Sequence, residues 1–550
     1  RINVFQDQVY GEVNIYDGLR FRSQLIYTQT SPFSQEWYPT YAQGGLQYPS
    51  QITKSISWSQ ASTWENYFSY NKTLGRHSIS AMAGMSSSVS KFNDSYGLGA
   101  LGTSSATLPW DNYNVLMVSQ TPVSSVTSES ISHTAYLSYF GRINYSFLDR
   151  YLLTLYYRQD DSPSFAPENR WGRFPSAALA WKINEEPFLK QVKAIDQLKL
   201  RLSWGLSGND RIPNYGYLST LFKGYNVAGF PNGVGAAFGY PATWIQGTTS
   251  NSLASVGIKW EQSESYNAGI DLSLWQNKFT ASLDVYVRNT NNILVQVPIN
   301  PSSGIDVAPY TNAASVRNKG FDLSLGYNDK ISRNLRFSLS GVMGFVKNKV
   351  TSLGAGEPIW NAPLETSEFI TLTAVGHPIG SFYGYQVDRV LPTTADAEAY
   401  NAKYGQHAAA GDIAFKDIAG PKDDKGNPTG PDGKIDDNDR TFIGNPIPKF
   451  NYGFNLSLYY KKFDLSIGGT GIAGVQIYDF FSQTIRTTER LKRWRKEGDI
   501  TDVPRAVSGD NNRNGRVSDR FVTDGSYLKI RNITLGYNVL SKESKYIQQF

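Results

Sequence analysis

Along most of the chain, apolar and polar residues alternate with a period of two. Leu198, Leu200, Leu202, Trp204 and Leu206 interleave with Lys199, Arg201, Ser203, Gly205 and Ser207. Tyr266, Ala268, Ile270, Leu272 and Leu274 interleave with Ser265, Asn267, Gly269, Asp271 and Ser273. Phe321, Leu323, Leu325 and Tyr327 stand against Asp322, Ser324 and Gly326; Leu335, Phe337, Leu339, Gly341 and Met343 stand against Arg336, Ser338 and Ser340. Tyr452, Phe454, Leu456 and Leu458 repeat the pattern. Successive side chains of a strand point to opposite sides, so each run predicts a strand with one apolar and one polar face.

By this criterion the sequence predicts about fifteen strands. They lie near 2–16, 18–30, 51–71, 76–90, 129–147, 150–160, 173–183, 195–207, 256–275, 278–296, 313–328, 333–348, 449–460, 462–478 and 523–538. Many exceed the roughly 5–6 residues usual in soluble sheets and reach the roughly 9–11 of a tilted membrane strand. Short connections (Asp17-Gly18, Asn71–Gly75, Leu148-Asp149, Gln276-Asn277, Asn328–Ser332, Lys461) trade with long ones at 31–50, 91–128, 161–172, 208–255, 297–312, 349–448 and 479–522. Tight turns on one side and long loops on the other are the pattern of an outer-membrane barrel. A β-propeller would show a repeated motif every 40–50 residues or so, and none is present.

Alternation alone suits both a sandwich and a barrel in lipid. Strand length and number favour the barrel, as do aromatic residues at strand ends: Tyr151, Tyr157, Trp181, Trp260, Trp275, Tyr459 and Tyr460. The fold expected is therefore all-β, an antiparallel up-and-down transmembrane barrel. In the strand 523–538 the apolar parity changes between Ile530 and Ile533, which predicts a β-bulge near Arg531-Asn532.

Composition narrows the chemistry. The 550 residues carry 53 Lys+Arg and 47 Asp+Glu, a net charge of +6, too slight a bias for a nucleic-acid partner. Cysteine is absent, which excludes disulfides, thiolate metal sites and thiol catalysis. No apolar run approaches the roughly 18 residues of a transmembrane helix. Arg1 opens no charged-then-apolar signal segment, so the sequence reads as a mature or partial chain.

Few motifs point to a reaction. Gly97, Gly99 and Gly102 spell G-x-G-x-x-G, but in an expected Ser/Gly-rich loop with no helix to follow. His77, His133, His377 and His407 are scattered, and no nucleophile elbow or P-loop accompanies them. Asp432, Gly433, Asp436 and Asp439 match the back half of a calcium loop, with Asp432, Asp436 and Asp439 as candidate ligands. Pro428 and Gly430 occupy the first two ligand positions and offer no side-chain oxygen, so a solvated acidic turn is the simpler reading. Lys492, Arg493, Arg495 and Lys496 around Trp494 read either as a contact for anionic lipopolysaccharide or as the polar side of a short loop helix. Asn267, Asp271, Asp284, Arg288 and Asp322 fall on the polar parity, facing the lumen and whatever fills or passes through it. The loop aromatics Trp110, Tyr215, Tyr217, Trp244 and Trp360 suit sugar stacking, peptide packing or contact with one another.

Six segments, in order, resemble one family. They are FGRINYSFLDRYLLTLYYRQDDS (140–162), LKLRLSWGLSGND (198–210), ASVRNKGFDLSLGY (314–327), VGHPIGSFYGYQVDRV (375–390), DGKIDDNDRTFIGNPIPKFNYGFNLSLYYKKFDLSI (432–467) and DRFVTDGSYLKIRNITLGYNV (519–539). Together they resemble the SusC/RagA family of TonB-dependent outer-membrane transporters, continuously from about residue 130 onward. The resemblance implies a barrel of about 22 strands around a plug. It also implies energy from TonB–ExbB–ExbD, a SusD-like lipoprotein lid, a pairing of two transporter–lipoprotein units, and an outer membrane of the Bacteroidota type. On this reading residues 1–550 are part of the barrel, with external loops 91–128, 208–255, 349–448 and 479–522. Plug and amino-terminal domains lie outside it, with about five strands before Arg1 and two after Phe550. The function implied is TonB-dependent uptake of an oligosaccharide or oligopeptide, without catalytic residues or cofactor. The alternative is a SusC-like barrel serving as a docking subunit of a larger outer-membrane assembly.

Overall fold

The computed structural model describes residues 2–38, 41–43, 46–48, 51–101, 129–219, 221–223, 235–238, 243–246, 248–250, 252–296, 302, 307–354, 358–363, 368–423, 428–479, 492–507 and 509–539. Fifteen strands form one sheet whose order follows the sequence without a crossover. They are β1 (Ile2–Tyr16), β2 (Leu19–Tyr38), β3 (Gln51–Leu74), β4 (His77–Leu101), β5 (Glu129–Phe147), β6 (Tyr151–Asp161), β7 (Trp171–Lys182) and β8 (Ile195–Asn209). After them come β9 (Glu261–Leu274), β10 (Phe279–Gln296), β11 (Tyr310–Ser332), β12 (Leu335–Leu353), β13 (Phe450–Tyr460), β14 (Phe463–Ala473) and β15 (Tyr527–Tyr537). The pairings are antiparallel, as an up-and-down sheet requires.

The tight turns are set by left-handed backbone. Leu148 and Asp149 have φ of 56° and 54°, and Trp275, Gln276 and Asn277 have 56°, 60° and 62°. Positive φ matches the turn to the strand twist. Gly18 has φ of 81°, and a Cβ there would collide with the Asn71 carbonyl, so glycine is required.

Three expectations change. The sheet runs beyond its alternating stretches: β2 continues to Tyr38, and β3 and β4 pair from Gln51 opposite Leu101. Gly97 and Gly99 therefore stand in a strand, not a loop, while Gly102 and Trp110 lie outside the described residues. Residues 349–448 are not one open loop. A four-stranded sheet forms there from Ile359–Pro363, Phe369–Thr373, Ser381–Gly384 and Thr441–Gly444, and helix α1 (Thr394–Tyr404) beside it is capped by Thr393 and ended by left-handed Gly405. Finally, Trp260 is no rim aromatic. It is 8% exposed between Phe165 and Phe174, with its Nε1 donating to the Arg170 carbonyl.

The expected bulge is present. Asn532 pairs with Gly468 and Ile530 with Gly469, so Arg531 is the extra residue. Leu528, Ile530, Ile533, Leu535 and Tyr537 thereby share a face with Gly471, Gly469, Ile467, Leu465 and Phe463.

The chain forms two compact units. One comprises 1–179, 205–261 and 301–310; its deepest side chains, Phe165 and Ile258, lie in connections rather than in the sheet. The other comprises 180–204, 262–300 and 311–550. Its main core, Tyr385, Leu391, Ile413, Phe415 and Ile435 with α1 residues Ala397 and Tyr400, also belongs to the connections. The sheet's apolar face is instead exposed: Tyr266, Ile270, Val285, Leu325, Leu339 and Leu535 all stand open. A sandwich would bury that face; a barrel gives it to lipid.

Candidate functional site

The polar face of the second unit is the candidate site. Register fixes its members. Asp271 opposes Ser282 and Gly269 opposes Asp284; Asp322 opposes Gly344, which opposes Asn451. Arg201 on β8 reaches both neighbouring carboxylates. Its Nε and Nη2 donate to Asp271 at 2.8 and 2.9 Å, and Nη1 and Nη2 donate to Asp284 at 2.9 Å each. Ser282 Oγ donates to Asp271 at 2.8 Å. One guanidinium thus joins three consecutive strands in bidentate geometry, leaving one net negative charge on the wall. Asp271 and Asp284 were legible from parity. Arg201 was missed as their partner, although its position between Leu200 and Leu202 places it on the same face.

Beside this cluster a groove of about 490 Å³ crosses β10 to β14. Asp284, Asp322, Ser324, Asn451 and Thr470 line it, with Gly453 in its floor. Arg288 lies further along the face and donates to Ser265. Asn267 opposes Tyr286.

The long connections after β12 and β14 fold together. Asp412, 1% exposed, accepts from Arg505 Nε at 2.7 Å and from Asn514 Nδ2 at 2.9 Å. Trp494 donates through Nε1 to the Pro392 carbonyl and packs on the core, so its role is structural. The body of the short helix expected ahead of it falls at residues 480–491, outside the described residues; beyond it the Asp499 carboxylate accepts from the Arg495 and Lys496 amides and is held below the usual carboxylate range. Trp360 is covered by the Arg440 guanidinium, 4.9 Å from its ring, and meets Tyr383 edge-on. Burial and the neighbouring Asp437 push the Tyr385 phenol up to about 12. A cavity of about 790 Å³ opens beside this body, lined by Val387, Arg389, Lys492, Thr501 and Phe521.

The acidic turn is built from backbone caps. Asp439, 1% exposed, accepts from the amides of Ile418, Ala419 and Asp436. Asp436 accepts from Asn438, Asp432 from Lys434, and Asp417 from Gly433. Among the described residues no group of three His, Cys, Asp or Glu side chains gathers around one metal position.

At the short-turn ends aromatics meet in pairs, with exposed Trp275 beside half-buried Phe279 and exposed Phe463 beside exposed Tyr537, centroids 6.4 and 4.8 Å apart. Near the opposite end of β8 and β9, Trp204 Nε1 and the Tyr266 hydroxyl both donate to Glu264. Aromatic rings with one wet polar atom mark a membrane interface. A sequentially ordered antiparallel sheet with an apolar outer face, aromatic rims and an ion-paired inner face is a membrane β-barrel sheet. The chain belongs to the TonB dependent receptor-like, beta-barrel family, whose model matches residues 3–544. This is an outer-membrane family of transporters and receptors, not of enzymes.

The chain is 27% identical over 548 residues to TonB-dependent receptor P3 of Formosa agariphila, covering 98% of this chain and 51% of that one. It is 28% identical over 442 residues to TonB-dependent receptor SusC of Bacteroides thetaiotaomicron, covering 78% and 40%. It spans about half the length of the curated relatives it matches. Its fold is similar to a chain in the structure of the RagAB peptide transporter, with a TM-score of 0.75 at 21% identity, over 98% of this chain and 55% of that one.

Proposed function

We propose that this chain is barrel wall of a SusC/RagA-type transporter that imports an oligosaccharide or oligopeptide across the outer membrane. The long connections face outward, where a SusD-like lipoprotein closes over the cargo. A plug fills the lumen, and TonB–ExbB–ExbD supplies the work. The supporting observation is the inverted sheet, with its apolar face open and its polar face ion-paired. Such a face is wetted in a lumen and does no bond chemistry.

The test is deletion of the whole gene in its native bacterium, followed by growth on size-fractionated dextrin and on peptone. A growth defect on one carbon source, matched by deletion of tonB, is expected. Unchanged growth and uptake on both would overturn the reading.

A further inference from the structure

Side chains of a strand ordinarily stand roughly perpendicular to the sheet. On the polar face of β8 to β15 many instead lie flat, and each lies over a glycine. A Cβ on Gly269 would come within 2.5 Å of Asp284 Oδ1 and 2.7 Å of Arg201 Nη2. A Cβ on Gly326 would meet Thr280 Oγ1 at 2.6 Å, and one on Gly344 would meet Asp322 Oδ1 at 2.9 Å. Gly468 is covered in the same way by Asn532 and Gly536 by Asp464, while a Cβ on Gly320 would meet the Phe345 carbonyl oxygen first and the Tyr286 hydroxyl next. The register places all six glycines on the polar parity. Glycine inside a strand loses packing and entropy, so repeated use marks places where another group must approach the backbone.

We propose that these glycine seats thin the lumen wall and thereby set the largest cargo the transporter admits. This rests on the transport reading above and adds to it a determinant of size rather than of chemistry. A seated threonine, aspartate or arginine spends its length along the wall. Unseated, the same side chain projects into the clearance between wall and plug. Two features fit this role. The seats recur on five of the seven strands from β9 to β15 rather than at one point, and in the Arg201 cluster the seated polar groups bond one another along the wall. Alanine at Gly326 or Gly344 would displace side-chain atoms, the Thr280 hydroxyl and an Asp322 carboxylate oxygen, rather than backbone, so each yields through a change of rotamer.

The experiment uses the full-length protein in its native bacterium, with Gly326→Ala and Gly344→Ala combined. Uptake is followed on dextrin and peptone fractions of increasing length. Uptake of the longest imported fraction is expected to fall about tenfold while the shortest falls no more than about twofold. Adding Thr280→Ala and Asp322→Ala, which removes the unseated groups, restores it. An equal fall for all lengths, no fall at all, or no restoration by the second pair would overturn the proposal. A second readout carries no assumption about cargo. Full-length protein is placed in planar bilayers with denaturant added until it conducts, and polyethylene glycols of graded size are tested for entry. The variant is expected to exclude a smaller polymer than wild type. If deleting the gene leaves uptake of every fraction intact, the transport reading falls, and an unchanged polymer cut-off would then sink the size determinant separately.

Discussion

Arg201 shows what a single residue carries here. Replacing it with methionine leaves Asp271 and Asp284 facing each other without their shared ion-pair partner. The site is about a quarter exposed, so the cost is a discounted form of that for a broken buried pair, about 2 kcal/mol. Urea unfolding of the full-length protein in detergent should show that loss, and Asp284→Asn in the same chain should recover part of it. His377 offers a pH test. Its ring stacks on Phe442 with centroids 3.5 Å apart. Burial and the nearby Lys349 ammonium hold its imidazole below the ordinary value of about 6.5. The unfolded state therefore takes up the proton first. The turn's stability is complete above about pH 6.5 and is lost as pH falls through the lower folded value. Diethylpyrocarbonate modification of His377 against pH should report an apparent pKa under 6.5; a higher value would contradict the packing described. At this scale the sequence was only partly legible. Parity placed Asp271, Asp284 and Asp322 on the polar face. It did not pair Arg201 with two of them, because register across three strands depends on turns and bulges rather than on local pattern. Trp260 was misread for the same reason: Phe165 and Phe174, which bury it, are distant in sequence.

Among elements, β15 gives the sharpest prediction. Arg531 is the one extra residue that lets two apolar runs of opposite parity share a face. Deleting Arg531 should turn Tyr527–Ile530 over, placing Lys529 toward lipid, and abolish the heat-resistant folded band on a gel. Arg531→Ala keeps the residue count and should retain the band. The bulge could be read from sequence because lipid imposes strict alternation on the strand it touches. The overhangs of β2, β3 and β4 could not. Beyond the hydrocarbon both faces meet water, and a hydrogen-bonded ladder such as Ile52 opposite Ala100 needs no alternation. The small sheet inside 349–448 was hidden likewise, since strands of four or five residues are too short to display a period.

For the whole molecule, the two ends of the strand order matter most. β1 is exposed along its entire length, and β1 and β15 are the end members of the order. Unpaired edges are not viable in hydrocarbon, where each free N–H or C=O costs several kcal/mol. Refolding residues 1–550 alone in detergent should therefore give no heat-resistant species, whereas the full-length protein should. A stable monomer of the 550 residues would mean that the edges find partners within it. The connection body has its own consequence. Asp412 and Arg505 lie 93 residues apart in the chain and Val387 and Asp519 lie 132 apart, each pair joining the two loops. Two arms tied across their middles cannot swing separately. Force applied to either is shared by both and passes down to the rim through the roots of β13 and β14, where Lys449 bonds Val346 and Ala473. A lid resting on one arm would tug the other as well, so these loops work mechanically as one lever with several hinges.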